Sequence, residues 1–364
     1  SLDGVKKGIG GKKYSELPAD IRMFVDKHLK YDADIIKNID NPRSPEHQKI
    51  CTEIFWRLQQ GESLNFMEVA HARLSSLARN FITKYADDIG FDYTTYKPID
   101  SNPSKHSFFG LIERSNNRMQ HLAILGRLLL IEQADGPTDI RDELLAELID
   151  STQQQDGVGN YSFEQTPVAK EILKTLDAVY SIFKDDPTVS NESGIKELSV
   201  EYYIISWVLL IRHLRKYYAI DKTHYALIRK FQSDFYQRWK GHSDDDKDIL
   251  LFSDNRQQAQ SDLEIRHRIL RSAFFEYLKN NNVEIKTLDG RRFFDELERI
   301  QIYRKNEGLC ELCLREGKPK EEAVVPWSNY EADHIIPWIK GGKTSTENAR
   351  VLCKYHNASE GGKL

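Results

Sequence analysis

Apolar residues recur three and four positions apart along most of this chain, the spacing that lines one face of a helix. The clearest stripe is Tyr225, Ile228, Phe231, Phe235 and Trp239, on a helix predicted near 223–240. Similar patterns predict helices near 168–183, 199–219 and 261–280, an amphipathic helix over 138–148, and a long apolar-periodic stretch over 108–131. Earlier, a helical pattern begins near Leu17-Pro18-Ala19-Asp20. Ser44 as N-cap, with Pro45 in the first turn, opens a helix whose apolar face carries Ile50, Ile54, Phe55 and Leu58. Residues 66–85 place Leu74, Leu77, Phe81 and Ile82 at helical spacing. Clusters of Pro, Gly, Ser and Asn predict loops at 1–15, 38–45, 91–106 and 151–162, and the acidic run Ser243-Asp244-Asp245-Asp246 reads as a solvated loop. There is no fixed-period repeat. The aromatic stripe reads as core packing, with a base-stacking platform as the alternative.

A length of 364 residues implies two or three domains, and 40% apolar with 30% charged residues is ordinary for a globular chain. The longest apolar run, 202–211, is broken by Ser206 and closed by Arg212 and His213. It falls short of the ~18 residues that cross a bilayer and reads as a buried helix. The chain opens Ser-Leu-Asp-Gly with no apolar leader, so a cytoplasmic protein with no membrane partner is expected. A net charge of -4 restricts any nucleic-acid contact to a local surface. The stretch 284–305 offers Arg291, Arg292, Arg304 and Lys305 as candidate phosphate contacts. The alternative is a connecting helix with ordinary surface charge.

Cys51 stands alone in a helical pattern and reads as a small buried apolar residue, whereas Cys310, Cys313 and Cys353 crowd the last 55 residues. Cys310-x2-Cys313 and Cys353-x2-His356 make two knuckles, four N/S ligands suited to a closed tetrahedral Zn2+ site that stabilises a small fold. Between and beside the knuckles lie Asp333-His334, Asn348 and Asn357. Asp333 offers a hard oxygen to a Mg2+-like ion, and His334 a proton acceptor that works near neutral pH. Gly341-Gly342 separates a β-prone run at 334–339 from another at 349–352, and a short helix then carries His356 and Asn357. The alternative for His334 is a satisfied core histidine.

The string DHIIPWIKGGKTSTENARVLC between these knuckles resembles the heart of the HNH endonucleases, whose fold is a zinc-stabilised ββα-metal finger. The likeness covers 303–363 and implies metal-assisted hydrolysis of DNA phosphodiesters. It makes His334 the general base, Asp333 a ligand of a catalytic Mg2+ or Mn2+, and Asn348 the residue that fixes the loop bearing the base. The family's final His follows its second knuckle directly; here that place holds Asn357, which becomes the second ligand of the catalytic metal. His356 is then a zinc ligand. Alternatively, His356 binds the catalytic metal and zinc keeps three cysteines.

Near the start, GGKKYSELPADIR and EIFWRLQQGESLNFMEVAHAR resemble the latter half of the N-terminal domain of GmrSD-type restriction proteins, through Gly11, Leu17, Pro18, Phe55, Arg57, Leu58, Gly61, Leu64 and Glu68. Gln59 stands where that family has Asn, and the family's Asp-Gly-x-Gln-Arg nucleotide motif would lie upstream of Ser1, so no nucleotide hydrolysis is expected. The expectation is a mainly α protein: 1–90, the latter part of a ParB-like domain; 91–283, a helical middle domain; and 284–364, a linker helix and HNH nuclease domain. Its expected work is DNA cleavage in restriction or antiphage defence, alone, as a homo-oligomer or with a defence-system partner. The rival expectations are a non-catalytic zinc-containing DNA-binding module and an RNA-directed nuclease.

Overall fold

The structure, a computed structural model, describes residues 13–28, 44–46, 48–50, 64–95, 97–187, 189, 194–241 and 245–361. Cys51, Ile54, Phe55, Arg57, Leu58, Gln59, Gly61, Gly11, Ser243 and Asp244 lie outside these residues. The chain divides into two compact units, 1–42 and 43–364. In the first, helix α1 (Ala19–His28) follows a short turn, and the Tyr14 hydroxyl donates to Asp26 at 2.6 Å.

The second unit is mainly helical: α2 (Phe66–His71), α3 (Leu77–Ala86), α4 (Gln120–Gln133), α5 (Asp142–Ser151), α6 (Pro167–Phe183), α7 (Glu201–Tyr217), α8 (Lys222–Gly241), α9 (Lys247–Asp254) and α10 (Gln260–Asn280) form its body. Helix α7 is the axis, packing on α6, α10 and α4. Its buried Tyr203 and Trp207 meet Phe231, Phe235 and Trp239 of α8, with Tyr203 and Trp239 stacked at 4.9 Å. The aromatic stripe is thus core, as its spacing implied. Arg212 of α7 reaches Glu132 at 2.8 Å, pairing two buried charges at the end of α4, and exposed Asp135 at 2.6 Å. No helix among the described residues is long and apolar enough to cross a membrane.

The structure departs from the periodicity in four places. The pattern over 66–85 is two helices, because Ser76 caps α3 through Arg79 N while Leu77 N and Ser75 O pair with the loop at Thr152 and Gln154. The stretch 91–106 holds part of a hairpin, β1 (Gly90–Asp92) against β2 (Lys97–Ile99). In 108–131 the helix starts only at Gln120, because Arg118 and Met119 adopt left-handed backbone, φ 55° and 60°. Finally, 284–305 is helical only over α11 (Glu296–Lys305), which Asp295 and Glu298 cap reciprocally. The residues before it run extended beside the end of α7: Ala219 N donates to Lys286 O, and Leu288 N to Tyr217 O, each at 2.8 Å. This strap joins the body to the C-terminal finger.

Between α7 and α10, His213 and His267 lie edge to face at 5.2 Å. Burial, aided by Arg271, Arg212 and Lys216, pushes His213 down to about 4. Burial, aided by His213, Arg271 and Arg212, pushes His267 down to about 3. Both rings ionise near 6.5 when unfolded, so the unfolded chain binds more protons below that pH and the fold loses stability as pH falls towards 4. Urea midpoints measured between about pH 7 and about pH 4.5 should therefore fall with pH, and His213→Gln with His267→Gln should flatten the fall. Equal slopes in the two proteins would count against these neutral imidazoles as its source.

Candidate metal centre

The finger comprises α12 (Glu311–Arg315), α13 (Lys320–Ala323), strand β3 (Tyr330–His334), strand β4 (Ala349–Cys353) and helix α14 (Lys354–Gly361). The strands pair antiparallel, with Asp333 opposite Arg350 and His334 opposite Ala349. Cys310 stands at the N-cap of α12 with Cys313 one turn on; Cys353 ends β4 and His356 sits in the first turn of α14. Their ligand atoms lie within 4.8 Å of one another, and the cysteines are unbridged.

His356 Nδ1 is 3.3, 3.5 and 3.4 Å from the sulfurs of Cys310, Cys313 and Cys353. A tetrahedral zinc with Zn–S near 2.3 Å and Zn–N near 2.0 Å sets sulfur and nitrogen about 3.5 Å apart, so this donor set fits zinc. The other ring nitrogen, Nε2, is 3.0 Å from Glu316 Oε1, the carboxylate partner that fixes the tautomer of a ligating imidazole. Burial pushes the Cys310 thiol up, but N–H groups of Cys313 and Cys353 and the His356 ring outweigh it and bring it down to about 7. Cys313 is pushed up to about 11 by burial and by its hydrogen bond with Cys310.

On the opposite side of the hairpin, buried His334 ends β3. Its Nε2 is 3.0 Å from Thr344 Oγ1, and the Thr344 hydroxyl also touches the carbonyl of Arg291. A carbonyl only accepts, so the single hydroxyl proton goes to Arg291 and the oxygen accepts from His334. Nε2 therefore carries the imidazole proton, and Nδ1, which has no hydrogen-bond partner among the described residues, keeps a lone pair. The Phe294 ring covers the imidazole at 4.6 Å. Burial holds the ring below its usual pKa; Asp333 and Asp289 oppose this, and Arg292 adds to it.

The strap fixes this arrangement. One oxygen of Asp289 accepts from Arg291 N at 2.9 Å and the other from Thr344 N at 3.1 Å. Trp338 Nε1 donates to Asp289 O at 3.0 Å, and Arg291 donates to Thr344 O at 3.1 Å. Asn348 staples the loop between the strands, accepting from Ile336 N at 2.8 Å and donating to Ile336 O at 3.1 Å and Lys343 O at 2.9 Å. Gly342 has no room for a side chain, since a Cβ there would stand 1.8 Å from Ile336 O. Gly341, at φ +82°, lies against Lys286 of the strap.

Asp333 Oδ2 accepts two hydrogen bonds from buried Arg350, at 3.0 and 2.7 Å, and its Oδ1 has no partner among the described residues. Asn357 is half-buried on α14, which packs over both strands, and its amide has no partner among the described residues. Of the basic candidates, Arg291 is engaged by Glu298 at 2.9 Å and Lys305 by Thr346 O at 3.1 Å. Arg292 lies over Trp338 at 5.5 Å, and exposed Arg304 makes no ion pair among the described residues. The motif reading did not anticipate Arg350, Thr344, Asp289, Phe294 or Glu316. Only Arg350 had a local signal, as the residue a two-stranded register sets opposite Asp333.

Replacing Cys310 with Ser removes one of four donors to a buried metal. The variant should hold far less than the one zinc ion per chain expected of the parent by elemental analysis. Its C-terminal finger should become sensitive to proteolysis while the helical body resists. Full zinc loading and an intact finger in that variant would refute this ligand set.

Comparison with known proteins places these features in a family. No curated protein and no solved structure matches the chain. Residues 310–362 match the family model described as HNH endonuclease, and the C-terminal segment of this chain is a zinc-type HNH domain.

Proposed function

We propose that this protein is a metal-dependent endonuclease that hydrolyses DNA phosphodiester bonds at the face of the finger bearing His334. The observation that carries the reading is the set orientation of His334: Nε2 is tied to Thr344, Nδ1 keeps its lone pair, and an acid precedes it in the strand. Nδ1 takes a proton from water as the water oxygen bonds to phosphorus; the opposite P–O ester bond breaks, and its oxygen leaves and is protonated from solvent. A divalent cation held by Asp333 Oδ1 and Asn357 would neutralise charge building on the phosphate oxygens. Arg350 keeps the other Asp333 oxygen and so aims the carboxylate. Asn348 holds the loop, and Phe294 keeps one ring face dry. Of the four basic candidates, exposed Arg292 and Arg304 are the ones left to take backbone phosphates, whereas Arg291 and Lys305 serve the finger's own structure.

The biological reading, restriction or antiphage defence, rests on the N-terminal resemblance. Of its matched positions, Glu68 also acts locally, completing the cap of α2 with Asn65 and pairing with Arg118 at 2.8 Å.

A plasmid-nicking assay with added Mg2+ or Mn2+ tests the activity. His334→Ala should abolish cleavage with zinc content unchanged. Thr344→Val, which removes the acceptor for Nε2–H, should lower the rate constant by about 10- to 100-fold with little change in KM, and Thr344→Ser should restore it. Wild-type rates in His334→Ala would overturn the assignment of the base. An inert wild-type protein would favour a DNA-binding zinc module, and digestion of RNA alone an RNA-directed nuclease. Protection of cells against phage that survives His334→Ala would sever the defence role from the finger.

A further inference from the structure

Away from the finger, a cavity of about 410 Å3 opens between α7, α10 and the turn after α4. Its walls include Arg212, His213, Tyr217, His267, Arg268 and Arg271. The volume lies in the range, roughly 300–1,000 Å3, of pockets that take small organic ligands. Its charges do not balance. Arg212 is spent on Glu132 and Asp135, and Asp135 also takes Lys216. Arg268 and Arg271, one turn apart on α10, make no ion pair or hydrogen bond among the described residues. The acid of their own helix that lines the cavity, Glu264, accepts instead from Gln260 Nε2 at 2.8 Å. The two imidazoles, held neutral by burial, add no charge, and the buried Nδ1 of His267 has no hydrogen-bond partner among the described residues. Tyr217 and His213, their rings 4.8 Å apart and tilted at 49°, give the cavity an aromatic wall, with Leu209 and Pro137 as apolar lining.

A concave site with two uncommitted guanidiniums, in a chain whose net charge is -4, concentrates positive potential where a compact anion fits. Guanidinium matches phosphate geometry through paired N–H donors. We propose that this cavity binds a small phosphorylated organic anion, its phosphate held by Arg268 and Arg271 and its organic portion against the rings of Tyr217 and His213. The site does not depend on the metal centre or on cleavage. It does adjoin the strap, because Tyr217, which lines the cavity, gives its carbonyl to Leu288 N one residue before Asp289.

Isothermal titration of the full chain with ADP and with inorganic pyrophosphate tests the proposal. The parent should bind ADP saturably, and pyrophosphate more weakly because it leaves the aromatic wall unused. Arg271→Ala and Arg268→Ala should each weaken ADP binding by about 10- to 100-fold. Arg238→Ala, removing an arginine paired with Asp246 elsewhere, should leave it unchanged. Glu264→Gln removes the one acid of α10 at the cavity and should tighten binding, a change a folding defect would not produce. The proposal is overturned if neither probe binds at millimolar concentration or if both arginine variants bind as the parent does. It is also overturned if duplex DNA, but neither small probe, loses affinity in those variants; the arginines would then serve the nucleic-acid backbone.

Discussion

The contact of four side chains, Cys310, Cys313, Cys353 and His356, is what the finger's shape depends on. Its own apolar core is small: Ile302, Val325, Tyr330, Val351 and Leu352 are the larger buried members. So little buried surface is a weak opponent to the conformational entropy of about 50 residues. A tetrahedral ion joining the start of α12 to the junction of β4 and α14 closes the segment at both ends. The hairpin is then fixed, and with it the spacing between His334 and the helix that carries Asn357. With all four positions filled by protein ligands, such an ion would hold the shape and leave no open site for chemistry.

The second constraint comes from outside the finger. Asp289 spends both carboxylate oxygens on backbone N–H groups, one on the strap and one at Thr344. Those hydrogen bonds depress the Asp289 carboxyl below its usual range, so it stays an acceptor across the neutral range. Through Thr344 this grip reaches the imidazole of His334. The imidazole is therefore oriented by residues on two sides of a long loop, while the asparagine staple at 348 keeps the loop from drifting.

Much of this was legible in the sequence where the signal is local. Helix α8 shows its buried face as a stripe, and the two knuckles spell a ligand set because two residues separate each pair. What was not legible was contact between segments distant in sequence. Nothing in the spacing of Asp289, Arg291 and Thr344 says that a strap crosses to His334. Periodicity also ran through the break between α2 and α3, because both helices bury apolar residues and the interruption is made by a capping serine and a loop from 152–154. The same blindness extended 284–305 into one helix, although Asp295 and Glu298 form a capping box that marks its true start.

The match to the HNH family begins at residue 310, but the strap that steers the histidine lies wholly before it. The family match and the residues that orient His334 thus have different borders. A finger excised at the family boundary and grafted onto another scaffold would keep its four metal donors, yet lose Ile302 from its core and leave behind the carbonyl that tells the imidazole which nitrogen to keep protonated. Modularity in this chain belongs to the four metal donors and stops short of the imidazole at the other end of the hairpin.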